Sequence, residues 1–103
     1  MENRISMAQI TRIPLPQLRY FRAGDLSHPE FTNDHIEALA SDILANGIHK
    51  PLIVRPVGDM YEVVCGLKRW KAALVAGLES VPVEITCLSD AEALALAAQD
   101  NLF

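Results

Sequence analysis

No apolar run in this chain approaches the roughly 20 residues that a membrane-spanning helix needs. The opening residues, MENRISMAQ, lack the apolar core of a secretory leader. Together these absences point to a soluble, cytosolic protein. Cysteine is scarce as well: Cys65 and Cys87 are the only 2 in 103 residues. That count does not support a disulfide scaffold, and both read as small apolar residues inside strands in a reducing compartment. A basic excess is missing, with 9 Lys and Arg against 13 Asp and Glu, a formal charge of -4. A domain that grips duplex DNA by itself usually carries the opposite balance. The charge weighs against DNA binding by these residues alone, but a small phosphorylated ligand needs only a local cluster of cations. His28, His35 and His49 fall in no metal-binding spacing, and no Walker-type phosphate loop is present. Ser27, Ser41, Ser80 and Ser89 lack the setting of a catalytic nucleophile.

What is present is enough apolar residue, 50% of the chain, to build one core. Residues 1–9 read as a flexible tail and residues 10–103 as one domain, or as one piece of a longer chain. Ile10–Leu15 reads as a strand stopped by Pro14 and Pro16. The mixed stretch Gln17–Phe31, broken by Gly24, His28 and Pro29, reads as loop. Thr32 or Asn33 can cap a helix. Ile36, Leu39, Ala40, Ile43 and Leu44 then form one apolar stripe, and Gly47 ends it. Pro51–Arg55 is a short apolar strand, and Gly58-Asp59 turns the chain into a return strand over Met60–Cys65. Val81–Cys87 is a further strand. Ser89-Asp-Ala-Glu92 has the capping-box spacing at the head of an alanine-rich last helix. That helix has too little polar surface to stand alone, so a homodimer or downstream residues would cover it. The order gives an α+β fold with a mixed sheet and packed helices.

The stretch YEVVCGLKRWKAALVAG, Tyr61–Gly77, organises the rest. A strand meets one glycine, Gly66, and then a helix carrying Leu67, Trp70, Ala73 and Leu74 on its apolar stripe. Trp70 is read as core. A glycine at that bend allows close approach to the backbone, and a helix start favours an anion. Lys68 and Arg69 fall in the same turn, about 100° apart on the helical wheel, so both could reach a phosphate there. A helix terminus contributes about 0.3–1 kcal/mol to an exposed anion. A hydrogen bond to a charged group contributes about 1.5–3 kcal/mol, so the side chains would dominate. The last helix ends on Asp100-Asn101, an acid and an amide that could serve Mg²⁺ or a nucleotide.

Several segments, taken in order, resemble a known family. They are Gly47-Ile-His-Lys-Pro-Leu-Ile-Val-Arg55, Cys65-Gly-Leu-Lys-Arg-Trp-Lys-Ala-Ala73, Ala76-Gly-Leu-Glu-Ser-Val-Pro-Val83 and Asp100-Asn-Leu102. They are similar to the N-terminal domain of the ParB family, whose fold is the ParB/sulfiredoxin-like fold. The family reads G-L-x-x-P-I-x-V-R, G-E-R-R-x-x-A-A, A-G-L-x-x-I-P-V and E-N. The resemblance implies a CTP site with Mg²⁺ that controls a clamp on DNA during plasmid or chromosome segregation. By position it gives Gly66, Lys68 and Arg69 to the phosphates, Asp100 and Asn101 to the metal and triphosphate, and Arg55 to the lining of the site. Arg19 is a looser match. It further implies a cytoplasmic, nucleoid- or plasmid-associated protein that meets DNA through regions outside this chain. The chain departs from the pattern at Leu67, where the family has Glu, at Lys68, where it has Arg, and at Asp100, where it has Glu. Sulfiredoxin relatives place their catalytic Cys after the glycine, whereas Cys65 precedes Gly66, which disfavours that chemistry. Three readings stand at this point: a nucleotide-binding module, a nuclease or phosphotransferase on the same fold, and an interaction domain that has lost its ligand.

Overall fold

The computed structural model describes residues 9–21 and 33–101. Residues 1–8 of the expected tail, the segment with Gly24, His28 and Pro29, and Leu102 and Phe103 lie outside the described residues. The strands are β1 (Gln9–Pro14), β2 (Leu18–Tyr20), β3 (Leu52–Val57), β4 (Met60–Cys65) and β5 (Ser80–Ile85). The helices are α1 (Asn33–Asn46), α2 (Leu67–Ala76) and α3 (Asp90–Asn101), with a 3-10 turn at Leu15–Gln17. One 5-stranded sheet runs in the order β1-β5-β3-β4-β2. Its pairings alternate: β1/β5 and β3/β4 are antiparallel, β3/β5 and β2/β4 parallel. The mixed sheet and its helices are the expected α+β arrangement.

Two features correct the sequence reading. Leu18–Tyr20 is a strand rather than loop, because β4 offers it a parallel edge with Arg19 opposite Glu62. A strand this short has no alternation of its own to read, so its pairing partner decides its conformation. Cys87 lies beyond the end of β5 and is exposed, while Cys65 is buried as expected.

Strand alternation sorts the core into two faces. Leu52, Val54, Val63, Val81 and Val83 point to the side where Leu67 and Ala73 of α2 pack, and all of these but Leu67 are at 0% exposure, Leu67 at 1%. Full burial of such a side chain contributes about 1.5–3 kcal/mol. α1 covers α2 through Ile36, Ala40 and Ile43 against Ala72. Leu44 and Leu74, assigned to the buried stripes, sit at their margins and are 63% and 42% exposed. Trp70 is half-buried, packs at the edge of this core and lies 6.0 Å from the Tyr20 ring. Its buried indole N–H has no hydrogen-bond partner among the described residues.

The opposite face carries α3, whose Ala93 and Ala97 sit on Phe21, Val64 and Cys65. Small residues at those positions let the helix lie close to the sheet. A β-bulge shapes this face. Ile53 pairs with Cys65 but Val54 with Val63, so Val64 is an extra residue on β4. Val64 and Cys65 therefore both join the α3 cluster, although neighbours on a regular strand would point apart.

The ends of the elements follow local chemistry. Gly77 takes φ 77°, its N–H reaching the Leu74 carbonyl at 3.2 Å while the Leu78 N–H reaches Ala73 at 3.1 Å. This is a Schellman ending, which favours glycine because φ is positive. The capping box forms as read: the Glu92 N–H donates to Ser89 Oγ at 3.1 Å and the Ser89 N–H to Glu92 Oε1 at 2.9 Å.

Candidate functional site

The bend between β4 and α2 sets the site. Gly66 takes φ 96° and ψ 29°, in the left-handed region that L side chains avoid. Its missing side chain also matters for space. A Cβ there would lie 3.1 Å from Arg69 Nη2 and 3.1 Å from Leu52 Cγ. Glycine thus lets the Arg69 guanidinium fold back over the bend, where Nη1 donates to the Lys50 carbonyl and, at 3.3 Å, to the Pro51 carbonyl. The Trp70 N–H closes the first helical bond to the Gly66 carbonyl at 2.9 Å.

Beside this bend opens a cavity of about 310 Å³ lined by Lys50, Pro51, Ile53, Cys65, Arg69, Leu96 and Gln99. Its cations come from two elements, the lead into β3 and the first turn of α2. Its far wall is α3. The Cys65 thiol donates to the Leu96 carbonyl at 3.7 Å, holding that wall to the sheet. Lys68 points elsewhere. It lines a separate cavity of about 300 Å³ with His35, Ile36, Ala38 and Leu39 of α1. The step between consecutive helical residues is enough to send the two cations to different hollows.

Arg55 does not line the Gly66 cavity. It lies two residues beyond Ile53 on the same sheet face, at the head of α3. Nε donates to Glu62 at 3.0 Å, Nη1 to the Leu88 carbonyl at 3.1 Å and Nη2 to Asp90 at 2.8 Å. The guanidinium carbon sits 5.0 Å from the centre of the Phe21 ring. Glu62 is buried and also accepts from Arg19 at 3.4 Å. Arg19 and Arg55 both lie opposite Glu62 in register, on β2 and β3. Burial works against the Arg55 charge, but hydrogen bonds to Asp90 and Glu62, and their negative charges, outweigh it and hold its pKa above the usual arginine value. The stability this brings is complete below the usual arginine range and is lost only as pH rises through the raised value. Arg55 is therefore charged across the whole neutral range.

Asp100 and Asn101 fall in the last turn of α3, directly after Gln99 of the cavity wall; their side chains lie outside the description. No group of three or more metal-ligating side chains occurs among the described residues. Mg²⁺ bound with a nucleotide takes much of its shell from phosphate and water and needs only one or two carboxylates. The cationic cradle at Gly66 suits the phosphates of such a pair.

Reading residue by residue missed Lys50, Gln99 and Glu62. Lys50 and Gln99 carried no spacing signal. Glu62 did: the two-residue turn Gly58-Asp59 pairs Val57 with Met60 and so puts Arg55 opposite Glu62.

The model of the ParB N-terminal domain matches residues 1–102. This chain belongs to that family. Among curated relatives of the family, the chromosome-partitioning protein Spo0J of Thermus thermophilus is 41% identical over 95 residues, covering 92% of this chain and 35% of that protein. The chain thus spans about a third of such a relative. A solved structure of C-terminally truncated ParB from Caulobacter crescentus, complexed with CTP-gamma-S, superposes with TM-score 0.80 at 29% identity, over 91% of this chain and 53% of that one. The same protein complexed to the centromeric parS site gives TM-score 0.74 at 27% identity, over 89% and 46% of the two chains. Sulfiredoxin from Arabidopsis thaliana shares the fold alone, with TM-score 0.63 at 20% identity over 92% of this chain and 98% of that one. The fold is the ParB/sulfiredoxin-like fold. Among the described residues no helix is long and apolar enough to cross a membrane.

Proposed function

We propose that this domain is the nucleotide-binding module of a plasmid- or chromosome-partition protein, with CTP as its first candidate ligand. The observation that carries the reading is the Gly66 bend, where Arg69 folds over a left-handed backbone position that a Cβ would crowd, beside a cavity that Lys50 also lines. Arg69 and Lys50 would bind phosphate oxygens, and the Arg69 fork can do so in bidentate fashion. Lys68, on the α1 side, would contribute charge to the triphosphate from the other edge of the bend. Mg²⁺ would travel with the nucleotide, with Asp100 and Asn101 at the end of α3 as its protein contacts. The Caulobacter relative complexed with CTP-gamma-S supports the choice of ligand. No carboxylate or imidazole occurs among the described residues lining the cavity, so binding fits this site better than general-base hydrolysis. DNA would be met through parts of the protein outside this chain, in keeping with the formal charge of -4, and a second copy of the chain is the natural partner for α3.

Calorimetry with CTP, ATP, GTP and UTP, with and without magnesium, tests this. CTP should bind, and Arg69→Ala should remove binding while the far-ultraviolet spectrum is unchanged. Equal affinity in Arg69→Ala would sink the assignment of the phosphates to this bend.

A further inference from the structure

The cavity has one wall that is fastened at a distance. Leu96 and Gln99 line it from α3, and α3 begins at Asp90, about 9 Å from Leu96 and about 13.5 Å from Gln99 along the helix axis at 1.5 Å per residue. At that far end Arg55 bonds Asp90 of the helix and the Leu88 carbonyl just before it, while its Nε is held by Glu62 of β4. Every guanidinium nitrogen is engaged, and the face of the group rests on Phe21. The surroundings are charge-balanced, with Arg19 and Arg55 against Glu62 and Asp90. Three of its five N–H groups are spent on partners from two different elements, so the fork is oriented by the sheet and the helix rather than toward the cavity. It ties sheet to helix, and only a planar fork can serve such divergent partners together.

We infer that Arg55 is a positioning residue for the Gly66 cavity: it seats the start of α3 on the sheet, and α3 in turn sets where Leu96 and Gln99 stand. This rests on the proposed nucleotide reading of that cavity. The role differs from the one implied by the resemblance, in which Arg55 lines the site. Loosening the clasp lets α3 tilt or lift about its alanine contacts, widening the cavity and exposing the Cys65 thiol beneath Leu96. Cys65 thereby reports on the clasp without any nucleotide.

The test uses the 103-residue chain carrying Cys87→Ser, so that Cys65 is the only thiol. Two quantities are measured: the rate at which an aromatic disulfide reagent modifies Cys65, and the Kd for CTP with magnesium. Arg55→Gln should speed Cys65 modification and weaken CTP binding about tenfold, the scale of a lost charged hydrogen bond. Asp90→Asn, which alters only an exposed partner and leaves the core intact, should move both quantities the same way by about threefold, the scale of an exposed ion pair. Asp90→Glu should restore both. Ser89→Ala weakens the same helix end without touching Arg55 and serves as the control. If Ser89→Ala changes both quantities as much as Asp90→Asn does, general fraying explains them and the positioning role is wrong. Tight CTP binding by the parent together with unchanged binding in Arg55→Gln and Asp90→Asn would overturn the positioning role alone. No CTP binding by the parent would instead overturn the nucleotide reading, while the Cys65 rates would still tell whether the clasp holds α3.

Discussion

On the α1/α2 side of the sheet the contacts are apolar throughout, from Leu52 and Val83 in the strands to Ile43 and Ala72 in the helices. On the α3 side a smaller apolar cluster shares its face with Arg19, Glu62 and Arg55, and beyond Ile53 and Cys65 it gives way to a cavity. The first side is packed for stability. The second has given up part of its packing to polar and open space, and the phosphate-suited bend belongs to it. The comparison predicts a separation: changes on the first side should lower stability and spare ligand affinity, and changes to the Arg55–Glu62 cluster on the second should lower affinity along with stability.

The largest effect tests the apolar side. Ile43→Ala removes a buried side chain far from the Gly66 bend and should cost about 2–5 kcal/mol in urea unfolding, with the CTP Kd of the folded fraction unchanged. Glu62→Gln comes next. It leaves two arginines facing a neutral amide, and it should cost somewhat less than the ~3–5 kcal/mol of breaking a fully buried pair, because Asp90 and the Leu88 carbonyl still hold Arg55. Affinity for CTP should fall with it; an affinity that does not move would blur the distinction between the faces. Ser89→Ala removes a cap and should cost about 1 kcal/mol, read as a lower Tm. Arg19→Ala should be smallest, about 0–1 kcal/mol and reduced further by salt, since its side chain is 51% exposed.

Much of the fold was legible because local and long-range preferences agree. The strand–glycine–helix corner, the α1 stripe, the β3–β4 turn and the Ser89–Glu92 box all follow from spacing, and all form. β2 was not legible, because three residues following Pro16 adopt a strand only where β4 supplies the edge. Leu44 and Leu74 were assigned to buried stripes because periodicity gives the direction of a face and not its width. The site was legible in part. Gly66 and Arg69 announce themselves at a helix start, and Asp100 and Asn101 as an acid and an amide side by side at a helix end, a pairing to which the family likeness adds a role. Wheel angles placed Lys68 beside Arg69, but which hollow each one lines depends on α1 and α3, which no short-range pattern positions. Gln99 is an ordinary polar residue on a helix until that helix is laid across the sheet.

The single unpaired step at Val64 has an engineering consequence. Deleting that residue would restore strict two-residue phasing along the strand. Cys65 would then take Val64's place after Val63, still opposite Ile53 on the α3 face, and the glycine hinge would keep its position. A chain shortened by this one position would give up one fully buried valine beneath α3, yet its anion-suited corner would still open onto the same side of the sheet.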